Sequence, residues 1–176
     1  LGECFGIEMT ENFVRPFFSK NIAEYWRRWH ISLGEWMKDY IFYPLSVCGP
    51  MRKLSKATHK KWGNFGKRLP VYIASIITWF ATGIWHGFTP NFIVWGMLNC
   101  FFIVLSEELV PLYEKFHNHF GLKDKKLYGI FEMARMFTLM NLIRISDLFP
   151  DVSVYFGKCL SLVTNPNISV LWNGKL

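Results

Sequence analysis

The feature that most constrains this chain is an uncharged run, residues 69–106, which contains no Asp, Glu, Lys or Arg. A helix needs roughly 20 apolar residues to cross a hydrocarbon core of about 30 Å, so the run is long enough for two crossings. Its middle carries the turn-forming segment GFTPN at residues 87–91. The sequence therefore predicts two membrane helices, at about 69–88 and 91–106, joined by a tight turn.

Composition supports a membrane protein and argues against other classes. The chain is 51% hydrophobic and 18% aromatic, and its 19% of charged residues is below the roughly 25% typical of soluble domains. A disordered chain would contain few aromatics, and a nucleic-acid module would show a basic face on a soluble fold. We therefore expect membrane lipid, and no nucleic acid, among its partners. The four cysteines lack metal-ligand spacing, so we predict no metal site.

Basic residues are concentrated just before the uncharged run. Residues 51–68 carry no acidic side chain and the following basic ones: Arg52, Lys53, Lys56, Lys60, Lys61, Lys67 and Arg68. Such a cluster could bind nucleic acid or anionic lipid, or it could fix membrane topology. Its position beside an apolar run favours topology, because short loops rich in Lys and Arg are held on the cytoplasmic side. We predict a cytoplasmic loop at 51–68.

Two further segments have helical patterns. In residues 22–45, charged side chains follow one helical face and aromatic ones the opposite face, which indicates one amphipathic helix ending near Pro44. His30 belongs to its apolar side. Residues 128–145 form a third apolar segment, which we predict to be a further membrane helix.

His86 is the leading candidate for chemistry. It lies in the segment GIWHG at residues 83–87, inside the uncharged run. An ionisable group there is costly, so it commonly faces a wet cavity and has a function; a hydrogen-bonded structural histidine between helices is the alternative. Imidazole titrates near neutrality and can act as a general base towards a hydroxyl. His30 is the second candidate, either functional or a core residue among tryptophans.

Two motifs together resemble the membrane-bound O-acyltransferase family. The first is YWRRWHISL at residues 25–33, which continues through Trp36, residues 38–40 and residues 43–45. The second is GIWHG at residues 83–87, followed by Asn91 and by Trp-Gly at 95–96. The bacterial branch, with alginate O-acetyltransferases and the teichoic-acid D-alanyl transfer protein, carries both motifs in this order.

The resemblance implies an all-α, polytopic membrane helix bundle that surrounds an acyl-transfer tunnel. It implies that His86 is the catalytic general base and that His30 is a polar partner or substrate positioner in the tunnel. The remaining substrate or tunnel residues that it suggests are Trp85, Trp29, Arg27, Arg28, Asp39 and Asn91. Because family members are much longer and the chain lacks an initiator Met, we interpret residues 1–176 as the C-terminal part of one such domain.

The function implied by the resemblance is acyl transfer, with acetyl as the expected group. The donor would be a cytoplasmic thioester, acetyl-CoA or an acyl carrier, and no cofactor would stay bound. The acceptor would be a hydroxyl of an exported cell-envelope polysaccharide, reached by a multi-pass protein of the inner (cytoplasmic) membrane. D-alanyl transfer to teichoic acid from an acyl-carrier protein is an alternative, and a non-catalytic scaffold or transporter component is another. Whether transfer is direct, covalent or shared with an extracellular acyltransferase partner is left open.

Overall fold

The structure is a computed structural model that describes residues 3–122 and 125–164. The described residues are almost entirely helical and form no strand beyond one isolated bridge between Phe13 and Trp29. The predicted all-α class is therefore confirmed. Of the predicted domain at 1–176, residues 1–2, 123–124 and 165–176 lie outside the described residues.

The helices follow one another with short connections. The α-helices of the described residues are α1 (Ile22–Arg28), α2 (Ile31–Met37), α3 (Tyr43–Val47), α4 (Gly49–His86), α5 (Pro90–Glu108), α6 (Val110–Phe120), α7 (Lys126–Arg144) and α8 (Val152–Thr164). A π-helical turn, Lys38–Phe42, connects α2 to α3, and short 3₁₀ turns occupy Glu3–Phe5, Pro16–Phe18 and Ile145–Leu148.

The prediction of one amphipathic helix at 22–45 is wrong, because the backbone leaves the helix between α1 and α2. Trp29 is extended (φ −112°, ψ 125°) and His30 is left-handed (φ 50°, ψ 52°). Residues 12–14 cause the break: their backbone exchanges hydrogen bonds of 2.9 and 3.1 Å with the backbone on either side of it. Because the Ile31 N–H donates to the Asn12 carbonyl, it is not available for the i to i−4 bond that a continuous helix requires.

The predicted helix end at Pro44 is also wrong. Pro44 lies at the start of α3, directly after the π-helical turn. The π-helical turn before it keeps the chain helical, so the helical path continues to Val47.

The predicted loop at 51–68 is helical instead and belongs to α4. The helix reverses at Gly63, whose φ of 56° and ψ of −135° are accessible to glycine. The Ser55 hydroxyl donates to the Lys67 carbonyl at 3.1 Å, although twelve residues of straight helix would span about 18 Å. We call residues 49–68 the basic hairpin. Its tight packing explains the helix: a Cβ at Gly66 would lie 2.2 Å from a backbone oxygen of the opposite limb.

The apolar limb of α4 packs closely against α5. By length and composition, each of these helices is able to cross a membrane. Their contact depends on two glycines: a Cβ at Gly83 would lie 2.7 Å from the Phe92 carbonyl oxygen, and one at Gly96 would lie 2.5 Å from that of Trp79. Small residues allow such close backbone approach between membrane helices.

Charged groups join the other end of this helix pair. Arg68 and Glu108 form an ion pair with an N···O distance of 2.8 Å, and the Tyr72 hydroxyl donates to the same carboxylate. Both charged residues flank the uncharged run. The polar boundary of α4 is therefore held level with that of α5.

A second packing centre joins α1 to α5 and α7. Its buried members are Ile22, Tyr25, Trp95, Met136, Met140 and Ile143. Tyr25 stacks on Trp29 with ring centroids 5.8 Å apart, and the Arg144 guanidinium lies 4.9 Å from the Trp29 ring centroid. Burial raises the pKa of Tyr25 to about 12 although Arg144 opposes the shift, so this hydroxyl stays protonated. This core fixes the position of α1, and with it the break that carries His30 beside Trp85 of α4.

Replacing Gly96 by alanine should destabilise the protein. The added methyl must displace the Trp79 carbonyl, and overpacking of this kind costs about 1–3 kcal/mol. Gly157→Ala in α8 is the matched control, because a Cβ there meets nothing within 4 Å among the described residues and alanine favours the helix by about 1 kcal/mol. Thermal unfolding of the purified protein in detergent should show a lower Tm for Gly96→Ala alone. Equal Tm values for the two variants would contradict the packing argument.

Candidate functional site

A cavity of about 270 Å³ is lined by both predicted histidines and lies between the α1–α2 segment and the α4–α5 pair. Its α4 wall is a single helical face made of Ser75, Thr78, Trp79, Thr82 and His86. From Ser75 to His86 this face rises by about 16 Å, so the cavity is elongated along α4. Lys38 and Glu107 also line it, and His86 closes the α4 face.

His86 is the last residue of α4. The helix is capped behind it by the Gly87 amide, which donates to the Gly83 carbonyl at 3.1 Å. Its ring lies edge-on to those of Trp85 and Trp95, with centroid distances of 4.9 and 4.8 Å. The imidazole itself is exposed. The end of α4 therefore presents the His86 ring at the cavity among aromatic neighbours that fix its direction.

His30 lies on the opposite wall in a strained conformation. A left-handed backbone is unfavourable by roughly 1–2 kcal/mol for a residue with a Cβ. The ring packs against Trp85 at 5.8 Å and Phe13 at 5.9 Å between centroids. Its Nδ1 is buried and has no hydrogen-bond partner within the part of the chain that the structure describes. Strain at a buried polar side chain is typical of functional positions.

Asn12 holds this strained turn in place. His30 occupies the N-cap position of α2, but its side chain makes no capping hydrogen bond. The Asn12 Oδ1 instead accepts from the Ser32 amide at 2.9 Å and from the Ser32 hydroxyl at 2.6 Å. Ser32 is the second residue of α2, and its amide is one that an N-cap side chain normally accepts from. Asn12, which is distant in the sequence, therefore takes the place of the N-cap side chain. Asn12 therefore positions His30 rather than contacting the cavity.

The structure brings some of the other predicted site residues to the cavity. Trp29 and Arg27 line it beside His30. Trp85 does not line it but lies between the two histidines, with its ring centroid 5.8 Å from His30 and 4.9 Å from His86. These aromatic contacts fix the orientation of both imidazoles.

Three predicted residues lie away from the cavity lining. Arg28 forms an ion pair of 2.6 Å with Glu24 on the same helix. Asp39 is exposed in the π-helical turn. Asn91 is buried at the start of α5, where its side-chain amide donates to the Ser146 carbonyl at 3.4 Å. Their contacts are those of residues that support helix ends and helix packing.

Several cavity residues escaped the sequence reasoning. Trp26, Trp79 and Trp95 form an aromatic wall, and Trp26 lies edge-on to Trp79 with a centroid distance of 4.8 Å. Thr78 and Thr82 each donate to the carbonyl four residues earlier, at 2.7 and 2.8 Å. Because their spacing to His86 is i, i+4 and i+8, the helical period could have placed them on its face. Trp26 and Trp95 lie within the two family-like motifs but were not selected as site residues, and Trp79 lies outside both motifs.

Replacing Asn12 by alanine should loosen the His30 turn. Loss of an N-cap acceptor costs about 1 kcal/mol, which corresponds to roughly fivefold faster local opening. Hydrogen exchange at the Ser32 amide should accelerate by about this factor. Asn118→Ala, at an exposed position on α6, is the control and should leave Ser32 exchange unchanged. Unchanged exchange in Asn12→Ala would show that the turn does not depend on this cap.

Comparison with known proteins identifies one family. The model of the membrane-bound O-acyltransferase family matches residues 3–146, most of the chain and both candidate histidines.

Individual relatives are bacterial envelope proteins. The chain is 34% identical to the probable alginate O-acetylase AlgI of Azotobacter vinelandii over 109 residues, which is 62% of this chain and 19% of that protein. It is 40% identical to the teichoic acid D-alanyltransferase of Bacillus subtilis over 95 residues, 53% of this chain and 22% of that protein. It is 32% identical to the peptidoglycan O-acetyltransferase of Helicobacter pylori over 117 residues, which is 66% of this chain and 19% of that protein. The match therefore spans about a fifth of each relative.

Proposed function

This chain belongs to the membrane-bound O-acyltransferase family, and from that premise we propose that it transfers an acyl group, in the first instance acetyl, to hydroxyls of an exported cell-envelope polysaccharide. The observation that carries the proposal is the elongated cavity lined by both His86 and His30. Relatives named for the acetylation of alginate and of peptidoglycan support both the acetyl group and a polymeric acceptor.

The proposed reaction needs one base. His86 accepts the proton of the acceptor hydroxyl while that oxygen attacks the carbonyl carbon of a thioester, acetyl-CoA or an acyl carrier. The new C–O bond forms, the C–S bond breaks, and the leaving thiolate takes the proton back from the imidazolium. The position of His86 at the end of α4, with its ring held by Trp85 and Trp95 at the cavity lining, supports this role.

The shape and lining of the cavity support a donor with a slender arm. Its walls are largely aromatic and aliphatic, which suits the apolar part of an acyl-thioester arm. The hydroxyls of Thr78 and Thr82 donate hydrogen bonds to their own helix. Their oxygen lone pairs are therefore free to accept hydrogen bonds from N–H or O–H groups of the acyl donor's arm. The charged residues Lys38 and Glu107 line the cavity in the region of the polar boundary of α5.

His30 is proposed to position substrate and not to replace His86 as the base. The buried, unpartnered Nδ1 and the packing against Trp85 favour a fixed polar contact in the cavity. Its backbone strain is maintained by the Asn12 cap, as expected for a group whose direction matters.

The proposed location is the inner (cytoplasmic) membrane, crossed several times. The basic hairpin would lie on the cytoplasmic side, and the apolar limb of α4 would lead outward to His86. A cytoplasmic thioester would then enter from the Lys38 and Glu107 end, and the exported acceptor would reach His86 from the opposite face.

D-alanyl transfer to teichoic acid is a second candidate. The 40% identity to the Bacillus subtilis teichoic acid D-alanyltransferase favours it. The same base chemistry would apply, with D-alanine as the acyl group and a carrier-protein thioester as donor. The identity of the acyl group on the envelope polymers distinguishes the two candidates.

Replacing His86 by alanine should abolish ester formation. Removal of a general base reduces the rate by roughly 10²–10⁴-fold, so polymer-bound acyl groups should fall to background. The substitution would be made in the chromosomal gene, and envelope esters and membrane abundance of the protein would be measured together. His119→Ala, on the exposed surface of α6, is the control and should retain normal esters. Normal esters in His86→Ala or His86→Gln would favour a non-catalytic scaffold.

His30→Asn should retain more activity than His30→Ala. Asparagine adopts the left-handed conformation more readily than alanine and keeps a polar side chain near the cavity. The two variants would be compared by ester content and by Tm. Equal activity in both at equal Tm would argue that the side chain at this position has no role in transfer.

A further inference from the structure

The charges of the basic hairpin face outward. All of its basic side chains are exposed, whereas Met51, Leu54 and Thr58 are partly buried against the other limb. Arg68 is paired with Glu108; within the described residues the other basic side chains of the hairpin form no ion pair. The hairpin therefore presents a continuous cationic surface that its own fold does not neutralise.

The tip of the hairpin is aromatic. Trp62 and Phe65 flank the reversal at Gly63, and each is 50% exposed. The Lys61 ammonium lies 5.4 Å from the centroid of the Trp62 ring. Tryptophan next to lysine combines an apolar ring with a cation, a pairing that is typical of the interface between membrane and water.

From this surface we propose that the basic hairpin binds anionic phospholipid headgroups, with Trp62 and Phe65 inserted at headgroup level. The height of the tip supports the assignment. Gly63 precedes the uncharged run by six residues, or about 9 Å of helix, which places the tip at the outer edge of a headgroup layer roughly 5–8 Å thick. A Lys or Arg near an anionic membrane surface contributes about 1 kcal/mol, so several together hold the hairpin firmly.

The main competing occupant is an acidic protein. Such a partner would match the charges of the hairpin equally well. Continuity with the membrane-length limb of α4 favours lipid, because the hairpin cannot leave the bilayer surface once that limb is inserted. Two half-exposed aromatic rings beside lysines also fit a headgroup layer, which takes up apolar rings and cations together.

The test measures lipid contact at Trp62. The protein is reconstituted in nanodiscs that contain brominated phosphatidylglycerol or brominated phosphatidylcholine, with bromine near the headgroup end of the acyl chain. The fluorescence of Trp62 is obtained by subtracting the tryptophan emission of Trp62→Phe from that of the wild type. Brominated phosphatidylglycerol should quench this emission at least about twofold more strongly than brominated phosphatidylcholine does. The difference between wild type and Trp36→Phe, another half-exposed tryptophan, should show no such preference.

Charge variants and salt separate the outcomes. Joint substitution Lys60→Gln, Lys61→Gln and Lys67→Gln should remove the preference, whereas Lys115→Gln, Lys125→Gln and Lys126→Gln, which also changes three exposed lysines, should keep it. High salt should remove it from the unmodified protein, because it screens exposed charges. Equal quenching by both lipids, or none, would overturn the proposal. Loss of binding to an acidic carrier protein with unchanged lipid preference would assign the hairpin to a protein partner instead.

Discussion

The close approach of α4 and α5 is the constraint on which the rest of the site depends. Gly83 and Gly96 leave no room for a Cβ, so the two backbones touch in the part of the pair nearest the connecting turn. This contact places Trp95 against His86 and makes one wall of the cavity from both helices. The Arg68–Glu108 ion pair fixes the register at the polar end. A wider spacing would separate His86 from the aromatic residues that orient it.

Much of the helical architecture was predictable from local pattern. The uncharged run has the length of two crossings and contains a turn signal, and the structure places its turn at residues 87–89 between α4 and α5. The reversal at Gly63 was harder to predict, because a single glycine in a lysine-rich segment indicates a loop as readily as a helical hairpin. What decides between them is the packing of Gly66 against the first limb, which no helical periodicity reveals.

The break at His30 could not have been predicted from residues 22–45 alone. Their helical pattern is genuine on both sides, since α1 and α2 each form. The interruption comes from residues 12–14, which pair with the backbone there and supply a cap through Asn12. A competing long-range contact thus overrides a local preference. The histidine pair itself was named from the sequence, but its shared cavity depends on this contact.

The strained backbone of His30 and the concentrated charge of the basic hairpin both need a stabilising contact from elsewhere. Each is unfavourable in isolation and persists because a distant element compensates for it: Asn12 for the backbone of His30, and an anionic bilayer surface, as proposed, for the lysines. The apolar limb of α4 connects the basic hairpin to His86. If the hairpin is held at the headgroup layer, the rise of that helix sets the depth of His86, and α5 fixes it laterally. Anchoring at the membrane surface would thus determine where in the bilayer the proposed base meets its substrates.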